Sequence, residues 1–183
     1  MLKANSNATE SGTDASNLLA LAYLSLGSNV GDRKTQLQKA VAGLAVAGRV
    51  VAVSSIYETE PVEFTQQPWF LNCAVALETT LTPEELMAAI LRIEKEMGRH
   101  RVREKGPRTI DIDILLFGNE TRHSPEVTIP HPAMQERRFV LEPLAEIAPK
   151  ARHPVLKKTV LELCDALPQG QAVRKLQETA RPI

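Results

Sequence analysis

This chain has little of what marks a secreted, a membrane-spanning or a nucleic-acid-binding protein. Among 183 residues there are only two cysteines, Cys73 and Cys164. Both sit in apolar surroundings without Cys-x-x-Cys spacing, so they read as buried thiols in a reducing compartment, and the sequence offers neither a disulfide framework nor a zinc cluster. Net charge is missing too. Lys plus Arg and Asp plus Glu both number 22, so no global field marks nucleic acid or an anionic membrane as a partner, and any basic function has to be local. No apolar run approaches the ~20 residues that cross a bilayer. The stretch 18–26 is apolar like the core of a signal peptide, but Glu10 and Asp14 precede it with Lys3 as the only base, the wrong charge for an export signal. A soluble cytoplasmic protein is the expectation. The chain also lacks the Gly-x-x-x-x-Gly-Lys-Ser/Thr phosphate loop, so the turn Gly27-Ser-Asn-Val-Gly-Asp32 reads as a connection. No internal repeat and no dividing linker is visible.

What is present is enough apolar material, 43% of residues, for one domain with a real core. Residues 1–17 are rich in Ser, Asn, Thr and Ala and have almost nothing to bury, so a disordered tail is expected there, followed by one domain over 18–183. A first strand is predicted over 18–26. Leu37, Val41 and Leu44 recur at helical spacing, which predicts a helix over about 33–47. The β-branched stretch 50–59 predicts a second strand, and 70–79 a third. Thr82-Pro-Glu-Glu85 has the form of a capping box opening a helix whose buried stripe is Leu86, Ile90, Ile93 and Met97. A fourth strand follows over 109–117. Then come an extended, proline-stiffened segment (128–132), a helix within 134–147, a helix over 159–167 and an edge strand at 172–176. The order strand, helix, strand, strand, helix, strand is that of an α+β, ferredoxin-like βαββαβ antiparallel sheet with helices on one face, here with C-terminal additions.

The most telling stretch is the fourth strand. From Thr109 to Phe117 it alternates at period two, with Ile110, Ile112 and Ile114 on one face and Thr109, Asp111 and Asp113 on the other. Asp is a poor strand former. Two carboxylates on one face repel unless a cation sits between or across them, and oxygen ligands of this kind suit magnesium. An Asp-x-Asp pair can also do no more than wet an exposed sheet face. Beside these carboxylates stand Pro107, Arg108 and the basic loop Gly98-Arg-His-Arg-Val-Arg-Glu-Lys-Gly106, and that grouping favours a metal meeting a polyphosphate, because arginine presents forked donors to phosphate oxygens.

Six stretches then fall in one order: Leu26-Gly-Ser-Asn29, Val53-Ser-Ser-Ile-Tyr-Glu-Thr-Glu-Pro61, Gln67-Pro-Trp-Phe-Leu-Asn72, the Gly98-Arg loop, Gly106-Pro-Arg-Thr-Ile-Asp-Ile-Asp113 and Pro130-His-Pro132. Together they resemble the 6-hydroxymethyl-7,8-dihydropterin pyrophosphokinase family from Tyr23 to about Pro149. The resemblance implies transfer of pyrophosphate from ATP to the hydroxymethyl group of the dihydropterin, giving AMP and the pterin diphosphate on the route to folate. It implies two magnesium ions held by Asp111 and Asp113, with Arg99, Arg101 and Arg108 acting on the phosphates and Arg108, His131 and Arg137 on the nucleotide. It also implies a pterin ring held between Phe70 and Phe139, with Asn72 reading its polar edge, in a protein expected to be a monomer. The chain departs from the family pattern at Phe70, where Tyr often occurs, and at Lys105, where Trp is common. Two other classes share some of these features. A metal-dependent phosphohydrolase or nuclease uses paired Asp but usually wants further carboxylates, and a noncatalytic binding module of the same fold needs neither the Asp pair nor the Arg loop.

Overall fold

The computed structural model describes residues 18–61, 66–98 and 108–176. The chain opens with β1 (Ala20–Ser28), and α1 (Arg33–Gly43) starts where Asp32 Oδ1 accepts the Thr35 N–H at 3.1 Å. A short 3-10 turn, Leu44–Val46, completes the first predicted helix. Next come β2 (Arg49–Val53), β3 (Tyr57–Thr59) and β4 (Phe70–Thr79). Helix α2 (Pro83–Glu96) begins with the expected capping box of Thr82 and Glu85. Strand β5 (Asp111–Phe117) leads to a small hairpin, β6 (Arg122–His123) and β7 (Thr128–Ile129). The expected 134–147 helix divides into a 3-10 turn, Met134–Glu136, and α3 (Arg138–Ile147). Helix α4 (Val160–Asp165) and β8 (Val173–Lys175) end the described chain.

The main sheet is antiparallel in the order β5-β1-β4-β3-β8, with β2 pairing β4 farther along. The βαββαβ frame is therefore present, and three expectations change in detail. First, helices lie on both faces. Leu24, Leu26, Leu77, Ile112 and Ile114 pack with α1 and α2, while Ala74, Leu115 and Leu116 pack with Leu141 and Leu144 of α3 and Val160 and Leu163 of α4. Strands β1 and β4 are buried along most of both faces, and an apolar sheet needs cover on each.

Second, the strand predicted over 50–59 is two strands. Ser54 Oγ accepts the Ala74 N–H at 2.8 Å, so a hydroxyl takes the place of a backbone carbonyl in the ladder. The chain leaves β4 there and rejoins it at Tyr57, opposite Asn72. Third, the period-two alternation of β5 stops after Leu115. A register shift against Tyr23 and Leu24 leaves Leu115 as an extra residue, so Leu116 faces α3 along with Leu115 and Phe117 returns to the α1 and α2 face.

Candidate active site

The site lies on the sheet face shared with α3, at the end where β1, β4 and β5 run side by side. Ser25 and Gly27 of β1 stand opposite Asp113 and Asp111 of β5, so the small residues of one strand leave room above which the carboxylates of the next can act. Across Gly27 lies Asn72 of β4. A Cβ on Gly27 would come within 2.7 Å of Asn72 Oδ1, so the glycine is required for the amide to lie flat over β1. Asn72 Nδ2 donates to Thr59 Oγ1 at 2.6 Å, which fixes the orientation of a side chain only 3% exposed. Phe70 at the start of β4 and Phe139 at the start of α3 face one cavity whose lining also includes Asn72, Arg108, Asp111, Asp113 and Arg137.

Carboxylates and guanidinium groups meet at this cavity. Arg108 Nη1 donates to Asp111 Oδ2. Burial, reinforced by the neighbouring Asp111 carboxylate, pushes the Asp113 carboxyl up to about 6 despite the pull of Arg137 and Arg108. His131 Nε2 stands 4.0 Å from Asp113 Oδ2. Its Nδ1 accepts the Ala133 N–H at 3.1 Å, and burial together with Arg137 holds the imidazole below its ordinary value. His131 is thus a neutral ring with its Nε2–H toward Asp113. The His131 backbone N–H donates to Leu115 O at 2.9 Å, which docks this segment on β5, and His131 also borders a second cavity of about 500 Å³.

The entry to β5 is tied to two other segments through Asn29, 2% exposed. Asn29 Oδ1 accepts the Arg108 N–H at 2.8 Å, the Asn29 N–H donates to Arg108 O at 3.1 Å, and Nδ2 donates to Gln67 Oε1 at 2.9 Å and Pro68 O at 3.2 Å. Nearby, Arg33 donates to Trp69 O at 2.7 Å and pairs with Glu58 at 3.2 Å. On the outer edge of β5, the N–H of Ile112 donates to Glu94 Oε1 at 2.8 Å. This places a buried carboxylate against the residue between the two aspartates.

The family described as 7,8-dihydro-6-hydroxymethylpterin-pyrophosphokinase (HPPK) matches residues 23–149. The chain belongs to the HPPK family. It is 53% identical over 129 residues to a 2-amino-4-hydroxy-6-hydroxymethyldihydropteridine pyrophosphokinase of Bacillus subtilis, an alignment covering 69% of this chain and 77% of that one. It is 45% identical over 156 residues to the folic acid synthesis protein fol1 of Schizosaccharomyces pombe, covering 84% of this chain but only 21% of that longer protein. A crystal structure of a Plasmodium falciparum HPPK-DHPS superposes with a TM-score of 0.67 at 17% identity, covering 83% of this chain and 46% of that one. That likeness concerns the fold.

Of the residues expected to form the HPPK site, Phe70, Asn72, Arg108, Asp111, Asp113, Arg137 and Phe139 share one cavity, and His131 adjoins it through Asp113. Arg99 and Arg101 lie outside the described residues, as do the remainder of the basic loop to Pro107 and the tail of residues 1–17. Asn29, Thr59 and Glu94 went unassigned from sequence. A glutamate four residues after Ile90 stands close to the apolar stripe of α2, and that was the available signal for Glu94. Asn29 and Thr59 gave none beyond their place in family-like stretches.

Proposed function

We infer that the chain transfers pyrophosphate from ATP to 6-hydroxymethyl-7,8-dihydropterin, giving AMP and the pterin diphosphate in folate biosynthesis. One observation carries the site-level reading: a carboxylate pair, flanked by two guanidinium groups, opens on the same cavity as two phenylalanines and a fixed asparagine amide. A flat heterocycle with hydrogen-bonding edges suits stacking between Phe70 and Phe139 with its edge toward Asn72. In that pose the hydroxymethyl oxygen lies toward Asp111 and Asp113. It attacks the β-phosphorus in line: the new O–P bond forms as the bond from the β-phosphorus to the oxygen bridging the α-phosphorus breaks, that oxygen leaves with AMP, and the hydroxyl proton is released to water.

Asp111 and Asp113 have the donor chemistry for magnesium. Among the described residues no group of three or more His, Cys, Asp or Glu side chains converges. Magnesium is commonly held by one or two carboxylates together with substrate phosphates and water, which an aspartate pair beside a phosphate site can supply. Bound there, it would supply Lewis-acid stabilisation of charge on the phosphoryl oxygens. Arg108, now on Asp111, can turn to a phosphate oxygen, and Arg137 reaches the same cavity, so both guanidiniums stand ready where charge builds. The neutral His131 ring can donate from Nε2 without adding repulsion to the arginines.

Finer expectations follow the same reading: two magnesium ions, a monomeric enzyme and a cytoplasmic location. Cys73 and Cys164 are free and buried, which supports a reducing compartment, and no helix among the described residues is long and apolar enough to cross a membrane. The deciding experiment supplies ATP, magnesium and 6-hydroxymethyl-7,8-dihydropterin and quantifies products. AMP stoichiometric with pterin diphosphate is expected. Phosphate or pyrophosphate released without the pterin identifies a hydrolase, and no turnover at all leaves a binding module.

A further inference from the structure

We propose that Gln171, in the C-terminal segment beyond the family match, is a positioning residue that holds the two walls of the pterin cavity at a fixed separation. The proposal rests on the reading that this cavity takes the pterin. One wall is Phe139, on the first turn of α3; another is the end of β3 with Thr59 and Glu60. Gln171 touches both. Its Oε1 accepts the Phe139 N–H at 3.4 Å, and its Nε2 donates to Glu60 O at 2.9 Å.

The first of these bonds matters because α3 begins without help from its own sequence. Its cap residue, Arg137, makes no side-chain capping hydrogen bond. The first N–H groups of a helix have no partner within it and need one from elsewhere. Pro143 weakens the same turn further, since it has no N–H to offer the Phe139 carbonyl four residues back. Gln171 therefore acts as a cap supplied from a distant part of the chain, on the very residue whose ring faces the cavity.

The second bond is one of a series. The Glu60 N–H donates to Ala172 O at 3.1 Å, and the Leu176 N–H donates to Ile56 O at 2.8 Å. Strand β8 pairs with β3 in register, Val173 opposite Thr59 and Lys175 opposite Tyr57. Arg174 stacks over Trp69 at 5.1 Å, and Arg138 donates to Leu167 O at 2.9 Å. The segment 167–176 is thereby fastened to α3 at one end and to β3 at the other, and Gln171 lies where the two attachments meet. A rigid frame around a stacking site lowers the ordering cost of binding.

The test compares Gln171→Ala and Gln171→Glu with wild type and with Phe139→Ala. Steady-state KM values for pterin and ATP, kcat, and thermal unfolding are measured for each. Gln171→Ala should raise the pterin KM about fivefold, the worth of a net hydrogen bond, while the ATP KM and saturating kcat stay within about twofold. Gln171→Glu keeps an acceptor for Phe139 but sets a carboxylate oxygen against the Glu60 carbonyl, and should raise the pterin KM at least as much as Gln171→Ala. A pterin KM unchanged in Gln171→Ala but raised in Phe139→Ala overturns the clamp and leaves the cavity assignment standing. No change in either variant removes the cavity assignment itself. Equal loss for both substrates, scaling with a lowered melting temperature, makes Gln171 a stabilising residue only and also overturns the proposal.

Discussion

At the scale of residues, the proposed reaction places its heaviest chemical demand on the two aspartates. Asp111→Asn and Asp113→Asn should each lower kcat by about two to three orders of magnitude, the usual effect of losing an oriented electrostatic contact, with the circular dichroism spectrum unchanged. Retention of more than half the activity at limiting magnesium would remove the metal assignment. Asp113 makes a second, opposite prediction about stability. Its carboxyl is raised from 3.8 to about 6 in the fold, so the folded state holds its proton more tightly, and stability is lost as pH rises through that interval. Asp113→Asn should therefore melt higher than wild type at pH 7.5, with the difference vanishing near pH 4. The cavity walls crowd the carboxyl, yet 40% of the side chain still meets solvent, and the direct surface exposure is the better guide to screening, which limits the gain to about 1–2 °C. Phe139→Ala should weaken pterin binding much more than ATP binding, measured by titration with 6-hydroxymethylpterin and with a nonhydrolysable ATP analogue; equal losses would place the ring in the core or at the nucleotide. The Asp pair was legible because side-chain direction in a strand is local and has period two. Arg108, three residues before Asp111, was legible beside the pair for the same local reason, whereas the approach of His131 to Asp113 was not, since it depends on a later segment folding back on β5.

At the scale of elements, Glu146 shows how the C-terminal part of α3 is fastened to the sheet. Oε1 accepts from Ser55 Oγ at 2.8 Å and from the Ser55 N–H at 3.2 Å, Oε2 accepts from the Tyr57 hydroxyl at 2.8 Å, and Lys175 Nζ lies 3.3 Å away. Burial pushes this carboxyl up, but the bonds from Tyr57, Ser55 and Lys175 together hold it below its ordinary 4.5. A depressed carboxyl stabilises the fold above the unfolded value, and that contribution is lost as pH falls through the lower folded value. Glu146→Gln should thus melt about 3 °C below wild type at pH 7, with the gap closing as pH drops below about 4.5. A gap constant with pH would mean that charge plays no part. The interruption between β2 and β3, where this knot forms, could not be placed from propensity. Val50 to Thr59 is β-branched and apolar enough to read as one strand, and only the competition of the Ser54 hydroxyl for the Ala74 N–H breaks it.

At the scale of the whole molecule, the sheet is covered on both faces, and the site lies on the face that the C-terminal helices share. The family match begins at Tyr23 and β1 begins at Ala20, so a chain starting at Asn17 should keep full activity in the coupled AMP assay; a large loss would show that the preceding residues contribute to the site. Helix positions, the antiparallel βαββαβ order and the paired carboxylates could all be read from order and periodicity, because capping boxes, glycine turns and alternation act over a few residues. Nothing local showed which face α3 and α4 would take, that Gln171 would cap a helix more than thirty positions earlier, or that Asn29 would join three segments through one amide. Those contacts join residues far apart in the chain. Which partner meets which is set by how the two apolar faces of the sheet find cover, and that is a property of the packed molecule.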